Sequence, residues 1–157
     1  MDSLVTAVAA SILSLLPHWK SEQARERAHE YASIIVEESA IGETRDPEID
    51  PFLVVAIIFR ESSFRAEVKG KHGEVGLMQV MPLGTLTRTI TKDSSTDVRA
   101  NIRAGIGHLR YWQAECGSDM LTWVSAYNAG KCIKTGYGRR IISLYCNLHP
   151  GGCGGVS

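Results

Sequence analysis

One ionisable side chain, Glu61, comes two residues after FLVVAIIF, a run of eight residues without a polar side chain. Asp50 and Pro51 precede the run and are typical of a helix start, so Glu61 is expected in the last turn of a buried helix. Desolvation and the negative end of the helix dipole would both raise its pKa above about 4.3. The position predicts a general acid, with a solvent-facing glutamate paired to Arg60 or Arg65 as the alternative.

Polar and aromatic side chains elsewhere could complete such a site. Ser62 and Ser63 could donate hydrogen bonds to the carboxyl, and Phe64 could shield it from water. In AYNAG, residues 126–130, the Tyr127 hydroxyl could reach a buried carboxyl and Asn128 could fix the turn. These five residues are therefore candidates for holding Glu61 and its substrate.

A glycine-rich stretch, GEVGLMQVMP at residues 73–82, follows after a short interval. Gly76 permits the close approach of backbone to a ligand. Gln79 can both donate and accept hydrogen bonds, which suits an acetamido group, and Met78 offers adaptable apolar surface. The stretch predicts a wall of a binding site, whereas taken alone it reads as a turn followed by core methionines.

Four short motifs occur in a fixed order, namely ESSF, GLMQVMP, NIRAGIGHLR and AYNAG. Together they make residues from about 50 to 145 resemble the soluble lytic transglycosylase family, which has a lysozyme-like fold. The resemblance implies cleavage of the β-1,4 bond between N-acetylmuramic acid and N-acetylglucosamine in peptidoglycan. Glu61 would protonate the glycosidic oxygen and then act as base, while the C6 hydroxyl of muramic acid attacks the anomeric carbon to leave a 1,6-anhydro end.

The resemblance also assigns the substrate contacts. It implies that Tyr127 supports the acid, that Asn128 lines the same wall, and that the sugars contact a four-residue stretch consisting of Gly76, Leu77, Met78 and Gln79. An intramolecular nucleophile removes the need for the second carboxyl that glycosidases commonly use. No cofactor or metal is expected.

Glu74, thirteen residues after Glu61, leaves a hydrolytic route open. Goose-type lysozymes carry an acidic residue at a similar place and hydrolyse the same bond with water, so Glu74 could hold a water molecule for a muramidase reaction. The alternative reading of Glu74 is a solvent-facing hairpin residue. A glycan-binding protein without turnover is a third possibility, against which the intact Glu61 argues.

Helical patterns cover most of the remaining chain and predict a mainly α fold. The central buried helix, a small loop or hairpin region over residues 62–81, and five further helical segments would form one lysozyme-like domain. Helix starts are expected at Ser21, at Thr96 or Asp97, and at Asp119, with ends at Gly42 and Gly130. We expect an N-terminal helical segment over residues 1–45, a catalytic domain over 46–149 and a flexible glycine-rich tail over 150–157.

The apolar residues 4–16 resemble a signal peptide only in part. No basic residue precedes them, no cleavage site of small residues follows, and they are too few to span a bilayer. A first helix ended by Pro17 is the interpretation that we adopt. Because peptidoglycan lies outside the cytoplasmic membrane, we expect a periplasmic or envelope location. A phage origin, or docking of this helix on an envelope or virion assembly, stays open.

Charge and cysteine content restrict the partners and the compartment. Seventeen basic and seventeen acidic residues give no net charge, which argues against nucleic acid as a partner. The four cysteines allow two disulfides in an oxidising compartment. Free thiols and a zinc site involving His149 are the alternatives. The cysteines are Cys116, Cys132, Cys146 and Cys153.

Overall fold

Six α-helices form the regular structure of the described residues, which are 2–41, 48–82 and 97–153 of the computed structural model. The helices are α1 Asp2–Leu15, α2 Glu22–Ala40, α3 Pro51–Ser62, α4 Val98–Cys116, α5 Met120–Ala129 and α6 Gly136–Leu148. Between α3 and α4 the chain forms isolated antiparallel bridges, from Lys69 to Val75 and from Val75 to Val80. The predicted mainly α class with a small hairpin region is therefore confirmed.

The central helix α3 begins as its sequence predicts. Asp50 Oδ1 accepts a hydrogen bond of 2.8 Å from the Phe52 N–H, and Pro51 occupies the first turn, where no N–H is needed. Every side chain from Phe52 to Ile58 is buried, because α1, α2 and α6 pack around this helix. The absence of a polar face in the sequence thus follows from burial on several sides.

The N-terminal helices α1 and α2 share one core with the later helices. Helix α1 ends before Pro17, as predicted, and buries Val5, Val8, Ala9 and Ile12 against α2 and α3. Because both parts contribute to one core, the division at residue 45 stays a prediction. No helix in the described part of the chain is long and apolar enough to cross a membrane.

A buried carboxylate joins α2 to α4. The Glu38 side chain is 1% exposed and accepts hydrogen bonds of 2.8 Å from Arg103 Nε and 2.9 Å from Arg99 Nη1. Glu37 pairs with the same Arg99 at 2.8 Å nearer the surface. Such charge-assisted bonds offset the cost of burying the carboxylate, and they fix how the two helices lie against each other.

Helix boundaries agree with the capping residues wherever these are described. Side chains of Ser21, Asp97 and Asp119 accept hydrogen bonds from the first turns of α2, α4 and α5. Gly130 ends α5 with φ 66°, in the left-handed region that favours glycine. The predicted stop at Gly42 and the alternative start at Thr96 lie outside the described residues.

Both pairs of cysteines form disulfides, so the free-thiol and zinc interpretations are wrong. Cys116 at the end of α4 bonds to Cys132 in the loop after α5, with their Cα atoms 5.4 Å apart. Cys146 in α6 bonds to Cys153, with Cα atoms 4.9 Å apart. The first residues of the predicted flexible tail, 150–153, form a turn closed by this bond, and residues 154–157 lie outside the described part.

Candidate active site

Glu61 lies in the last turn of α3, where the sequence predicts it, and its side chain is partly buried. The Tyr137 hydroxyl, at the start of α6, donates a hydrogen bond of 2.5 Å to Glu61 Oε1. Tyr137 is itself buried, 8% exposed, so the bond is largely shielded from water. The carboxyl is therefore fixed in orientation by a residue 76 positions further along the chain.

The surroundings of Glu61 favour its neutral form. Burial raises its pKa above the ordinary value, and the nearby charge of Glu74 acts in the same direction. The hydrogen bond from Tyr137 and the charge of Arg60 oppose this rise without cancelling it. Glu61 is therefore suited to hold a proton at a pH where an exposed glutamate has lost it.

The residues directly after Glu61 have structural roles instead of the predicted contacts with its carboxyl. Ser62 Oγ donates to the Ile58 carbonyl at 3.2 Å, and Ser63 Oγ donates to the Phe59 carbonyl at 3.4 Å. The Phe64 ring packs against Tyr31 of α2 and Trp19 of the α1–α2 connection. Helix-end hydroxyls bond readily to the carbonyl four residues back, and that local bond prevails here.

The backbone around the site is strained at three non-glycine residues. Ser63 and Phe64 have φ values of 51° and 60°, and Gln79 has φ 46°. Each left-handed residue of this kind costs roughly 1–2 kcal/mol, so the surrounding contacts must hold it in place. These turns direct the chain away from α3 immediately after Glu61 and end the glycine-rich stretch.

The Gly76–Gln79 stretch forms a tight turn, but its side chains point inward. Leu77 and Met78 are fully buried, so the predicted apolar surface at Met78 belongs to the core. Gln79 Nε2 donates to the carbonyls of Val68 at 3.0 Å and Gly76 at 2.9 Å, so its donors hold the turn together. Gly76, Leu77 and Met78 are buried as whole residues, and Gln79 is the partly exposed residue of this stretch.

Helix α4 holds this turn through a buried asparagine. Asn101 Oδ1 accepts from the Met78 N–H and Asn101 Nδ2 donates to the Val75 carbonyl, each at 2.9 Å. A Cβ on Gly76 would lie 2.3 Å from Asn101 Nδ2, and one on Gly105 would lie 2.3 Å from Met78 Sδ. Both glycines are therefore required for α4 and the turn to approach this closely.

Tyr127 does not donate to the acid, which corrects the predicted contact. Its hydroxyl donates to the Met78 carbonyl at 2.7 Å, and its ring lies 4.9 Å from that of His108. Burial and the charge of Glu61 raise the Tyr127 pKa well above its usual range, so this hydroxyl stays a donor. Asn128 is exposed at the end of α5, with no hydrogen bond from its side chain to the residues that the structure describes.

Tyr137 is the residue of the site that sequence reasoning missed. It lies between two glycines in TGYG, and of these residues only Gly138 indicates a close contact between helices. A Cβ there would lie 2.1 Å from Ser125 Oγ, so the glycine lets the start of α6 pack closely on α5. That close packing brings the Tyr137 hydroxyl to Glu61.

Glu74 occupies a partly buried position in the hairpin region, not a fully solvent-facing one. Its Oε2 accepts a hydrogen bond of 3.0 Å from the His72 backbone N–H, and its charge acts on Glu61. Within the described ranges, no group of three or more acidic, histidine or cysteine side chains could hold a metal ion. The chemistry that these side chains themselves offer is proton transfer from Glu61.

Comparisons with known proteins agree with this geometry. The family model of the transglycosylase SLT domain matches residues 29–140. Soluble lytic murein transglycosylases of Salmonella typhimurium and Escherichia coli K12 are 35% and 34% identical to the chain over 96 residues. Each match covers 55% of this chain and 15% of the relative, so the chain corresponds to a small part of those proteins.

Solved structures show the same fold. An inactive mutant of the lytic transglycosylase Slt from Pseudomonas aeruginosa superposes with a TM-score of 0.62 at 21% identity, over 87% of this chain and 26% of that one. The 70-kDa soluble lytic transglycosylase of Escherichia coli gives 0.57 at 22% identity, over 92% and 24%. Since the family model matches well over half of the sequence, the chain belongs to the transglycosylase SLT domain family.

Proposed function

We propose that this chain is a peptidoglycan lytic transglycosylase that cleaves the β-1,4 bond between N-acetylmuramic acid and N-acetylglucosamine. The observation that carries the proposal is the Glu61 carboxyl, partly buried, bonded to Tyr137 and raised in pKa. Membership of the family and the names of the murein transglycosylase relatives support the choice of substrate.

In the proposed reaction Glu61 transfers its proton to the glycosidic oxygen as the bond to the anomeric carbon breaks. The resulting carboxylate then removes the proton of the muramic acid C6 hydroxyl, whose oxygen bonds to the anomeric carbon and closes the 1,6-anhydro ring. The enzyme thus regains its proton and no water is consumed. Tyr137 acts as a positioning residue because its hydroxyl holds Glu61 Oε1 through both steps.

The substrate is expected to lie along the turn formed by residues 76–79, next to Glu61. Of the stretch Gly76, Leu77, Met78 and Gln79, only Gln79 is partly exposed, so Gln79 would contact the sugars and the three buried residues would shape the turn. Asn128 is exposed and able to contribute at the rim. The Ser62 and Ser63 hydroxyls bond within α3, so we assign them to shaping the helix end.

Hydrolysis by a goose-type muramidase route is the second candidate because of Glu74. Its charge acts on Glu61, so it lies near enough to influence the pKa of the acid. In the anhydro route Glu74 serves only to raise the pKa of Glu61. The products distinguish the two routes, because an anhydro end is lighter than a hydrolysed end by one water molecule.

We place the site of action in the periplasm or cell envelope, where peptidoglycan lies. The two disulfides support an oxidising compartment. A phage origin gains no support from the relatives, which are bacterial proteins. Docking on a virion through α1 gains none from the structure, since Val5, Val8, Ala9 and Ile12 already lie in the core.

Replacing the acid tests the proposal. We expect Glu61→Gln to reduce the release of soluble fragments from purified murein about a thousandfold or more, because the amide has no proton to give. Mass spectrometry of wild-type products should show 1,6-anhydro ends.

The matched control is Glu115→Gln, an exposed glutamate of α4, which should leave cleavage unchanged. Near-normal cleavage by Glu61→Gln would refute the proposal. Products that carry only reducing ends would support the hydrolytic route instead.

A further inference from the structure

A cavity of about 610 Å³ lies between the α1–α2 connection, α2 and the loop that follows α3. Its volume is typical of small-molecule sites, and none of the residues assigned to catalysis lines it. The side chains that matter are three aromatic rings and three charged groups, namely Trp19, Arg27, Tyr31, Phe64, Arg65 and Glu67.

Opposite charges border this cavity without pairing. Arg27 and Glu67 both line it, yet neither forms an ion pair in the part of the chain that the structure describes. Arg65 Nε donates to the Ser62 carbonyl at 3.0 Å, which anchors a second guanidinium at the wall. Two unpaired, opposite charges facing one cavity suit a ligand that carries both an anionic and a cationic group.

An unpartnered hydroxyl adds a polar contact. Tyr31 is 6% exposed and lines the cavity, and its hydroxyl has no hydrogen bond to any described residue. Burial raises its pKa, and the charges of Arg27, Glu30 and Glu67 act on it, so the hydroxyl lies close to the charged groups. The hydroxyl oxygen is not one of the buried atoms that lack a partner, so it is accessible to water or to a ligand in the cavity.

The aromatic rings leave little flat surface for a sugar. The Arg27 guanidinium lies 5.8 Å from the centre of the Trp19 ring. The rings of Tyr31 and Phe64 stack with their centroids 6.2 Å apart. Phe64 and Trp19 make an edge-to-face contact with ring centroids 6.5 Å apart. Sugar binding uses an open ring face, so the rings fit better as an apolar floor beneath a charged ligand.

The cavity shares a wall with the proposed sugar-binding turn. Val68 lines the cavity, and its carbonyl accepts hydrogen bonds from the Gly76 N–H at 2.9 Å and from Gln79 Nε2 at 3.0 Å. In murein, a stem peptide hangs from each muramic acid, and its diamino acid carries an ammonium and a carboxylate on one carbon. A peptide attached to sugars in the cleft would extend toward neighbouring surfaces such as this cavity.

We propose that this cavity binds the zwitterionic diamino acid of a murein stem peptide. The carboxylate lies at Arg27 and Arg65, the ammonium at Glu67, and the hydrocarbon chain on Trp19. The Tyr31 hydroxyl donates to the carboxylate. The identity of the ligand rests on the proposed function. The match between a zwitterionic ligand and the opposite charges of the cavity does not.

The test uses the Glu61→Gln chain, which does not turn over, and follows the Trp19 indole N–H signal by ¹⁵N NMR, assigned with Trp19→Phe. The probes are meso-diaminopimelic acid, pimelic acid, which lacks the ammonium groups, and 1,5-diaminopentane, which lacks the carboxylates. We expect diaminopimelic acid to bind at least about tenfold more tightly than either analogue, because each lacks one charge-assisted contact.

Variants locate the binding. Arg27→Gln and Glu67→Gln should each weaken diaminopimelic acid about tenfold, whereas Arg25→Gln, an exposed arginine of α2 outside the cavity, should not. No shift of the Trp19 signal, equal affinity for all three probes, or unchanged affinity in both variants overturns the inference. Murein cleavage by the wild-type chain is measured separately, so a chain that cleaves without binding the probe disproves this inference alone.

Discussion

At the scale of single residues, the central feature is the pair formed by Glu61 and Tyr137. Burial raises the pKa of the carboxyl, and the phenol moderates that rise by donating to Oε1. The pKa of Tyr137 is itself raised well above its usual range, by burial first and then by the charge of Glu61. The phenol therefore remains a donor, and Glu61 is the group of the pair that can lose its proton within the physiological pH range.

Removing the phenol hydroxyl tests this division of roles. In Tyr137→Phe the bond that lowers the Glu61 pKa is lost, so this pKa should rise and the alkaline limb of the pH profile of kcat/KM should move to higher pH. The limb lies where Glu61 loses its proton, so activity falls above it in both proteins. We also expect kcat to fall about tenfold, because the carboxyl loses its orientation.

Tyr145→Phe is the matched control, since the Tyr145 hydroxyl on the same helix donates to Asp50 Oδ2 at 3.0 Å instead. It should leave the alkaline limb in place. An unmoved or lowered limb in Tyr137→Phe would contradict the assigned role.

At the scale of elements, α4 functions as the support of the glycine-rich turn. Asn101 satisfies one donor and one acceptor of that turn, and Gly105 makes room for Met78. Tyr127 of α5 bonds the Met78 carbonyl from another side. The turn is therefore held by two helices distant in sequence, which permits a strained residue such as Gln79 to persist.

We expect Asn101→Ala to destabilise the chain by about 2 kcal/mol, because it leaves the buried Met78 N–H without a partner. The Val75 carbonyl loses one bond but still accepts from the Val80 N–H at 3.1 Å. Urea unfolding followed by circular dichroism measures the loss. Asn147→Ala, an exposed position in α6, should change the free energy of unfolding little. A loss below about 1 kcal/mol in Asn101→Ala would show that water replaces the amide.

The sequence predicts the helices well, but it does not predict the contacts between them. Asp50, Pro51, Asp97 and Asp119 act within a few residues of their own helix, so local rules find them. The hydrogen-bond partner of Glu61 lies 76 residues further along the chain, so local rules do not find it. AYNAG drew attention to Tyr127, whereas the packing of α6 on α5 through Gly138 brings a different tyrosine to the acid.

At the scale of the whole molecule, the carboxyls of Glu38 and Glu61 respond to pH in opposite directions. Hydrogen bonds from Arg103 hold the pKa of Glu38 below its usual range, aided by Arg99 and opposed by burial. Glu38 therefore contributes stability above the ordinary glutamate pKa, and that stability is lost as pH falls through the lowered value. Glu61 has a raised pKa, so its effect is most favourable in acid and declines as pH rises through that value.

The contribution of Glu38 can be separated with one substitution. Glu38→Gln should lower the free energy of unfolding by about 1–2 kcal/mol at pH 7, because the charge-assisted bonds to two arginines are weakened. The difference from the wild-type chain should shrink as pH falls below the ordinary glutamate range, since Glu38 then becomes protonated in both folded and unfolded chains. Urea midpoints measured at several pH values give both quantities.

Glu37→Gln is the control, because the Glu37–Arg99 pair is about two-fifths exposed on both sides and should contribute less. If the loss in Glu38→Gln persisted undiminished in acid, packing of the side chain and not its charge would join α2 to α4. If the loss disappears in acid, the N-terminal helices are held to α4 by a pH-dependent contact in addition to their shared core. Because the pKa of Glu38 is lowered and that of Glu61 is raised, there is a pH range in which Glu61 is protonated while the α2–α4 contact is intact.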